Sequence, residues 1–140
     1  MDKIDRRSEL REAAFLILFR ADFYPPEELA SQVKDFFEGE EEFTEKERQQ
    51  IADKVVAVAQ MIPEIDRALD EISVGWKTRR MTKVDLTILR LAYYEIKYDD
   101  KVPVSSAINE AVELAKNYGT ENSGSFVNGI LAKVAKDESK

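Results

Sequence analysis

Apolar residues along the chain recur every three or four positions rather than every second one, which is the spacing of helices with a buried face. Over residues 5–22, Leu10, Ala13, Ala14, Ile17, Leu18 and Ala21 mark one stripe, and Phe15, Leu16 and Phe19 widen it to more than one face. Tyr24-Pro25-Pro26 breaks this helix, because proline lacks the amide hydrogen and drives its predecessor out of the helical region. Pro26 then suits the first turn of a second helix reaching about Phe37. Gly39 and a run of glutamates make the next loop. Thr44 and Glu47 have the spacing of a capping box, which opens a helix through about Met61. Pro63 sets another first turn, and Ile65, Ala68, Leu69 and Ile72 form an amphipathic stretch that Gly75 ends as a left-handed cap.

Thr82 and Asp85 repeat the capping spacing before a helix that runs to about Tyr98. Val84, Leu86, Ile88, Leu89, Leu91, Ala92, Tyr93, Tyr94 and Ile96 circle most of that cylinder, which predicts a helix in the middle of a bundle. After the loop 99–103, Ser105 or Ser106 is expected to cap a helix buried through Ile108, Ala111, Val112, Ala115 and Tyr118 and ended by Gly119. The last helix begins near Ser123 to Ser125 and buries Phe126, Val127, Ile130, Leu131 and Val134. Asn128-Gly129 alone would signal a hairpin. The flanking helical period overrides it, and Gly129 is expected to permit close packing. The expectation is an all-α protein of about seven helices. It forms one domain over 1–140, with helical halves 1–75 and 76–140 separated at the stretch Gly75 to Met81.

Charge sharpens this picture. The chain carries 28 acidic and 21 basic residues, a net of −7. Residues 27–47 hold nine acids against Lys34 and Lys46, so the acidity is one local block. Residues 77–90 hold Lys77, Arg79, Arg80, Lys83 and Arg90 against Asp85 alone, and Arg6, Arg7 and Arg11 stand near the start. A polyanion meets that distribution, not the sum. The composition is that of a globular protein with no membrane-spanning run. The opening MDKIDRRSELRE lacks a short apolar block before a cleavage site, so a cytoplasmic protein without a secretory signal is expected.

Catalysis has little to stand on. The absence of cysteine and histidine removes thiolate nucleophiles, the usual zinc ligands and the imidazole base. Glu110 and Glu113 are three apart on one helix, but a ferritin-like metal site needs a histidine after a glutamate. Gly119, Gly124 and Gly129 follow no strand and form no phosphate loop. No metal and no cofactor is expected. Two features remain. Arg7 and Arg11, four apart, share a helix face suited to a phosphate backbone. Phe19 lies two turns beyond Arg11, while Asn122, Ser123 and Phe126 offer an amide, a hydroxyl and a ring at a helix start, where N–H groups favour phosphate. The competing reading makes both rings core and both polar residues caps.

Arg6-Arg7 with Arg11-Glu12-Ala13-Ala14, the run Val84-Asp85-Leu86-Thr87-Ile88-Leu89-Arg90-Leu91-Ala92-Tyr93-Tyr94-Glu95, Val102-Pro103, the block Ile108 to Lys116 (INEAVELAK), Tyr118-Gly119 and Phe126-Val127-Asn128-Gly129-Ile130-Leu131 together resemble the NusB family of bacterial transcription antitermination factors. The match in order and spacing covers most of the chain, with residues 27–60 similar only in helical pattern. The resemblance implies an all-helical, non-catalytic adaptor. It would bind single-stranded boxA-type RNA of nascent ribosomal leaders together with NusE, a small-subunit ribosomal protein, and help RNA polymerase in the elongation complex read through terminators. It implies RNA contacts at Arg6, Arg7, Arg11, Phe19, Arg90, Asn122, Ser123, Ser125 and Phe126, and a NusE-facing acid at Asp85.

Departures carry consequences. The first-helix aromatic is often tyrosine, so Phe19 can stack but cannot donate through a phenol. Some members have an acid where Asn122 stands, and the amide removes a negative charge beside the phosphates. Ser125 stands where a lysine can occur. Ser8-Glu9-Leu10 interrupts the arginine motif, so weak RNA affinity, raised by NusE, is expected. The alternatives are a purely protein-binding helical module and an accessory domain of an rRNA cytosine methyltransferase, for which the catalytic domain and cysteine are missing. Self-association as a homodimer through an exposed Phe15 or Phe19 stays open.

Overall fold

The computed structural model describes residues 6–136. Among them are seven α-helices and no strand: α1 (Arg7–Ala21), α2 (Leu29–Phe37), α3 (Glu45–Gln60), α4 (Ile62–Ile72), α5 (Lys83–Tyr98), α6 (Val104–Tyr118) and α7 (Ser123–Lys136). Short 3₁₀ turns at Pro26–Glu28 and Thr78–Arg80 precede α2 and α5. The helical period therefore predicts both class and helix number. The expected start of α1 at residue 5 lies outside the described residues. No described helix is long and apolar enough to cross a membrane.

The chain divides into two compact units, one ending at Ala59 and one beginning at Gln60. The sequence pattern predicts halves at 1–75 and 76–140 instead. α4 packs on α5 and α7, so its contacts group it with the later helices. Pro63 helps set that division, since it opens a new helix directly after α3.

In the first unit α1 packs on α2 and buries Ala13, Ala14, Phe15, Ile17 and Leu18. Phe15 is only 1% exposed, which removes it as a surface for self-association. Phe36, Phe37 and Phe43 meet edge to face, with centroids 5.2 and 6.2 Å apart. α3 opens on the full capping box: the Glu47 N–H donates to Thr44 Oγ1 at 3.1 Å, and the Thr44 N–H donates to Glu47 Oε1 at 2.9 Å.

In the second unit α5 is the central rod, packed by α4, α6 and α7. Ile88, Leu89, Leu91 and Ile96 are at most 1% exposed, and burying each is worth roughly 1.5–3 kcal/mol. Thr82 caps it by accepting the Asp85 N–H, as the spacing predicts.

Four local expectations are corrected. α4 ends at Ile72 and Gly75 is not left-handed; the only glycine with positive φ among the described residues is Gly39, at 75°. α6 begins at Val104 on a Pro103 N-cap with no side-chain cap, so Ser105 and Ser106 lie inside the helix, where Pro103 has already set its start. Tyr118 is 38% exposed, while Leu114 takes the buried place on the face shared with Ala107, Ala111 and Ala115. Gly129 is exposed with nothing within 4 Å of where its Cβ would be, so it makes no close packing. The tight glycine is Gly119 instead. A Cβ there would lie 2.4 Å from Ser123 Oγ, inside the turn joining α6 to α7.

Candidate nucleic-acid interface

Arg6, Arg7, Arg11 and Phe19 belong to the first unit; Arg90, Asp85, Asn122, Ser123, Ser125 and Phe126 belong to the second. Arg7 is exposed at the first residue of α1, and Arg11 is half-exposed one turn on. Eight residues separate Arg11 from Phe19, and at 3.6 residues per turn that places the ring about 80° round the helix from the cation. A strand touching both must wrap α1, not follow its axis. Phe19 is half-buried between two rings, 6.2 Å from Phe15 and 5.5 Å from Phe23. Phe23, not singled out from the sequence, is 63% exposed, so it carries the open end of this aromatic run. Its spacing of four from Phe19 was the available signal.

Arg6 sits in a socket of acceptors. Its guanidinium donates to Glu47 at 3.1 and 3.2 Å, to Glu9 at 3.0 Å and to the Glu42 carbonyl at 3.1 Å. Arg6 beside Glu47 holds that carboxyl below the usual carboxylate range, helped by the Thr44 N–H, and the same hydrogen bond raises the Arg6 pKa further. Arg90 is similarly engaged: Nε and Nη2 donate to the two Asp66 oxygens at 2.9 and 2.7 Å, a bidentate pair joining α5 to α4.

The start of α7 does bring its candidates together. Ser123 is 2% exposed, and its Oγ accepts the Thr120 N–H at 3.0 Å, so it builds the turn. That turn presents Asn122 and Ser125 at the surface, with Ser125 Oγ donating to the Asn122 carbonyl at 3.2 Å, and leaves Phe126 half-exposed. Beside them an open groove of about 650 Å³ runs between α6 and α7, lined by Asn109, Glu113, Lys116, Glu121, Ser125 and Asn128 among others. Asp85 is 8% exposed, and its buried Oδ1 has no hydrogen-bond partner. In the 77–90 segment, Arg80 lies over the Trp76 ring at 4.9 Å, a pair that charge counting did not reveal. No cluster of residues able to hold a metal ion occurs among the described residues.

The NusB family model matches residues 8–136. The chain belongs to the NusB family. Its similarity to the transcription antitermination protein NusB of Agathobacter rectalis is 51% identity over 129 residues, covering 92% of this chain and 98% of that one. For NusB of Lachnoclostridium phytofermentans it is 50% over 128 residues, covering 91% and 97%. Among solved structures, T. maritima NusB superposes with a TM-score of 0.88 at 33% identity, over 99% of this chain and 96% of that one. A chain from a crystal structure of the antitermination factors NusB and NusE in complex with dsRNA gives 0.81 at 26% identity, over 96% and 98%. The function is that of a NusB transcription antitermination protein, an adaptor without catalysis.

Proposed function

We propose that the chain acts as one NusB domain over residues 1–140, binding boxA-type RNA of nascent ribosomal leaders together with NusE in the cytoplasm and helping RNA polymerase pass terminators. The observation that carries this reading is the solved NusB–NusE complex with RNA, which covers nearly the whole of this fold. Arg7 and Arg11 position phosphates, Phe19 and Phe126 stack on bases, and Asn122 and Ser125 meet base edges or phosphates at the start of α7. Ser123, bonded to Thr120, builds the turn under Asn122 and Ser125, and Arg90, held by Asp66, serves the scaffold by tying α5 to α4. That complex holds double-stranded RNA; the preference for a single strand here rests on the half-exposed rings, since bases inside a duplex are already stacked on their neighbours and those of a single strand are open to a ring. Asp85 supports the NusE side. A buried acceptor without a donor costs about 1–3 kcal/mol, so turning outward to a partner's donor is favourable.

The test is fluorescence anisotropy at fixed salt of a boxA-type RNA, a scrambled RNA and a duplex of equal length, with and without NusE. Selective binding to the single strand that tightens with NusE is expected. Equal weak binding to all three in both conditions leaves the alternative, a protein-binding module. A homodimer through the Phe19–Phe23 surface would compete with RNA, so sedimentation should show any dimer dissociating as RNA is added.

A further inference from the structure

Helix α1 begins without a side-chain cap. Arg6 occupies the N-cap position, and its own side chain makes no capping hydrogen bond to the first turn. Such ends fray, because the first N–H groups lack helical partners. The Arg6 side chain helps tie this end down. A guanidinium has five N–H donors. Nε and Nη2 grip the two Glu47 oxygens, Nη1 reaches Glu9, and Nη2 also reaches the Glu42 carbonyl. Its Cζ lies over the Phe43 ring, 5.3 Å from the centroid, and Phe43 is 9% exposed. The receiving end is itself built. Glu47 closes the capping box of α3, the Glu40 carboxylate accepts the N–H groups of Glu42 and Phe43, and Arg48 donates to the Glu40 carbonyl.

We propose that Arg6 is a positioning residue and not a phosphate ligand: its bidentate pair with Glu47 staples the first turn of α1 to the start of α3 and so holds Arg7 and Arg11 in their phosphate-facing row. This rests on the RNA-binding reading above. A phosphate reaching Arg6 would have to displace Glu47 and then lie beside Glu9, Glu42 and Glu47, whose charges all act on that guanidinium. Arg7, next in the chain, is exposed. The acidic segment acquires a role of its own, as the socket for the first arginine of the motif.

The experiment compares wild type with Arg6→Gln, Arg6→Lys and Arg7→Gln for affinity and salt dependence on a boxA-type RNA. Removing one phosphate-binding cation lowers the logarithmic salt slope by about 1. Arg6→Gln is expected to bind severalfold more weakly with an unchanged slope, and Arg6→Lys to do no better, because an ammonium cannot reproduce the fork. Arg7→Gln should lower the slope by about 1. A slope reduction in Arg6→Gln that Arg6→Lys restores would put Arg6 on a phosphate and overturn the proposal. Unchanged affinity in Arg6→Gln would overturn the positioning role.

A urea-denaturation cycle of Arg6→Gln and Glu47→Gln needs no RNA. Glutamine serves in the same capping box, so the cap is kept while the charge and the second acceptor for Arg6 are removed. The double variant should match the weaker single variant, whereas additive midpoints would overturn the staple. Wild type failing to bind any RNA would fail the functional reading and leave the cycle to decide Arg6.

Discussion

Replacing Asp66 by asparagine asks whether Arg90 belongs to the scaffold or to the RNA. The pair is bidentate, at 2.9 and 2.7 Å, with the Arg90 side chain 11% and the Asp66 side chain 25% exposed. An exposed ion pair would be worth at most about 1 kcal/mol, whereas breaking a fully buried one costs about 3–5 kcal/mol. Asp66→Asn keeps the shape and one acceptor, and the site is a quarter open to water, so the loss should be about 2 kcal/mol. With a urea slope of about 2 kcal/mol per M, the midpoint falls by about 1 M; at roughly 3 °C per kcal/mol, the Tm falls by about 6 °C. The assay is urea denaturation followed by circular dichroism at pH 7 and constant salt, with Arg90→Ala and the double variant alongside. The double variant should be little worse than Arg90→Ala, because the two side chains act as one unit. A midpoint shift under about 0.3 M in Asp66→Asn would refute the reasoning: the pair would be screened by solvent, and Arg90 could be drawn to a phosphate.

Acid should separate wild type from Glu47→Gln. The Glu47 pKa is lowered from 4.5 in the folded protein, so its contribution is present above that value and is lost as pH falls through the lower folded value. The stability advantage of wild type over Glu47→Gln, read from urea midpoints between pH 7 and pH 3, should therefore shrink below about pH 4.5; an advantage constant across that range would contradict the pairing. Gly129→Ala should stabilise by about 0.5–1 kcal/mol in thermal unfolding, since the site is open and helical, and a loss would mean that the backbone there needs glycine. Ser123→Ala should cost about 1 kcal/mol by leaving the Thr120 N–H without its acceptor, and should weaken RNA binding through the displaced Asn122 and Ser125; unchanged stability would show that the hydroxyl does not build the turn.

The helices were legible because their signals are local. Periodicity over ten or more residues marks a buried face, and prolines and capping pairs mark the starts, so class, helix number and the central place of α5 could be read from the chain. The resemblance in the Ile108–Lys116 and Phe126–Leu131 blocks likewise survives in linear order, and with it the family. Local signals misled where two competed: Ser105 and Ser106 suit a cap, but Pro103 had already set the helix start. Gly129 suited close packing only while the facing helix was unknown.

The division of labour among polar residues lay beyond the sequence. Arg6, Arg7, Arg11 and Arg90 look equivalent in one dimension. Arg6 finds its carboxylate 41 residues away and Arg90 finds its own 24 residues away. Whether an arginine meets a carboxylate from another helix is a matter of distances between segments remote in the chain. Periodicity and composition carry no term for that, and only the packed tertiary structure decides it.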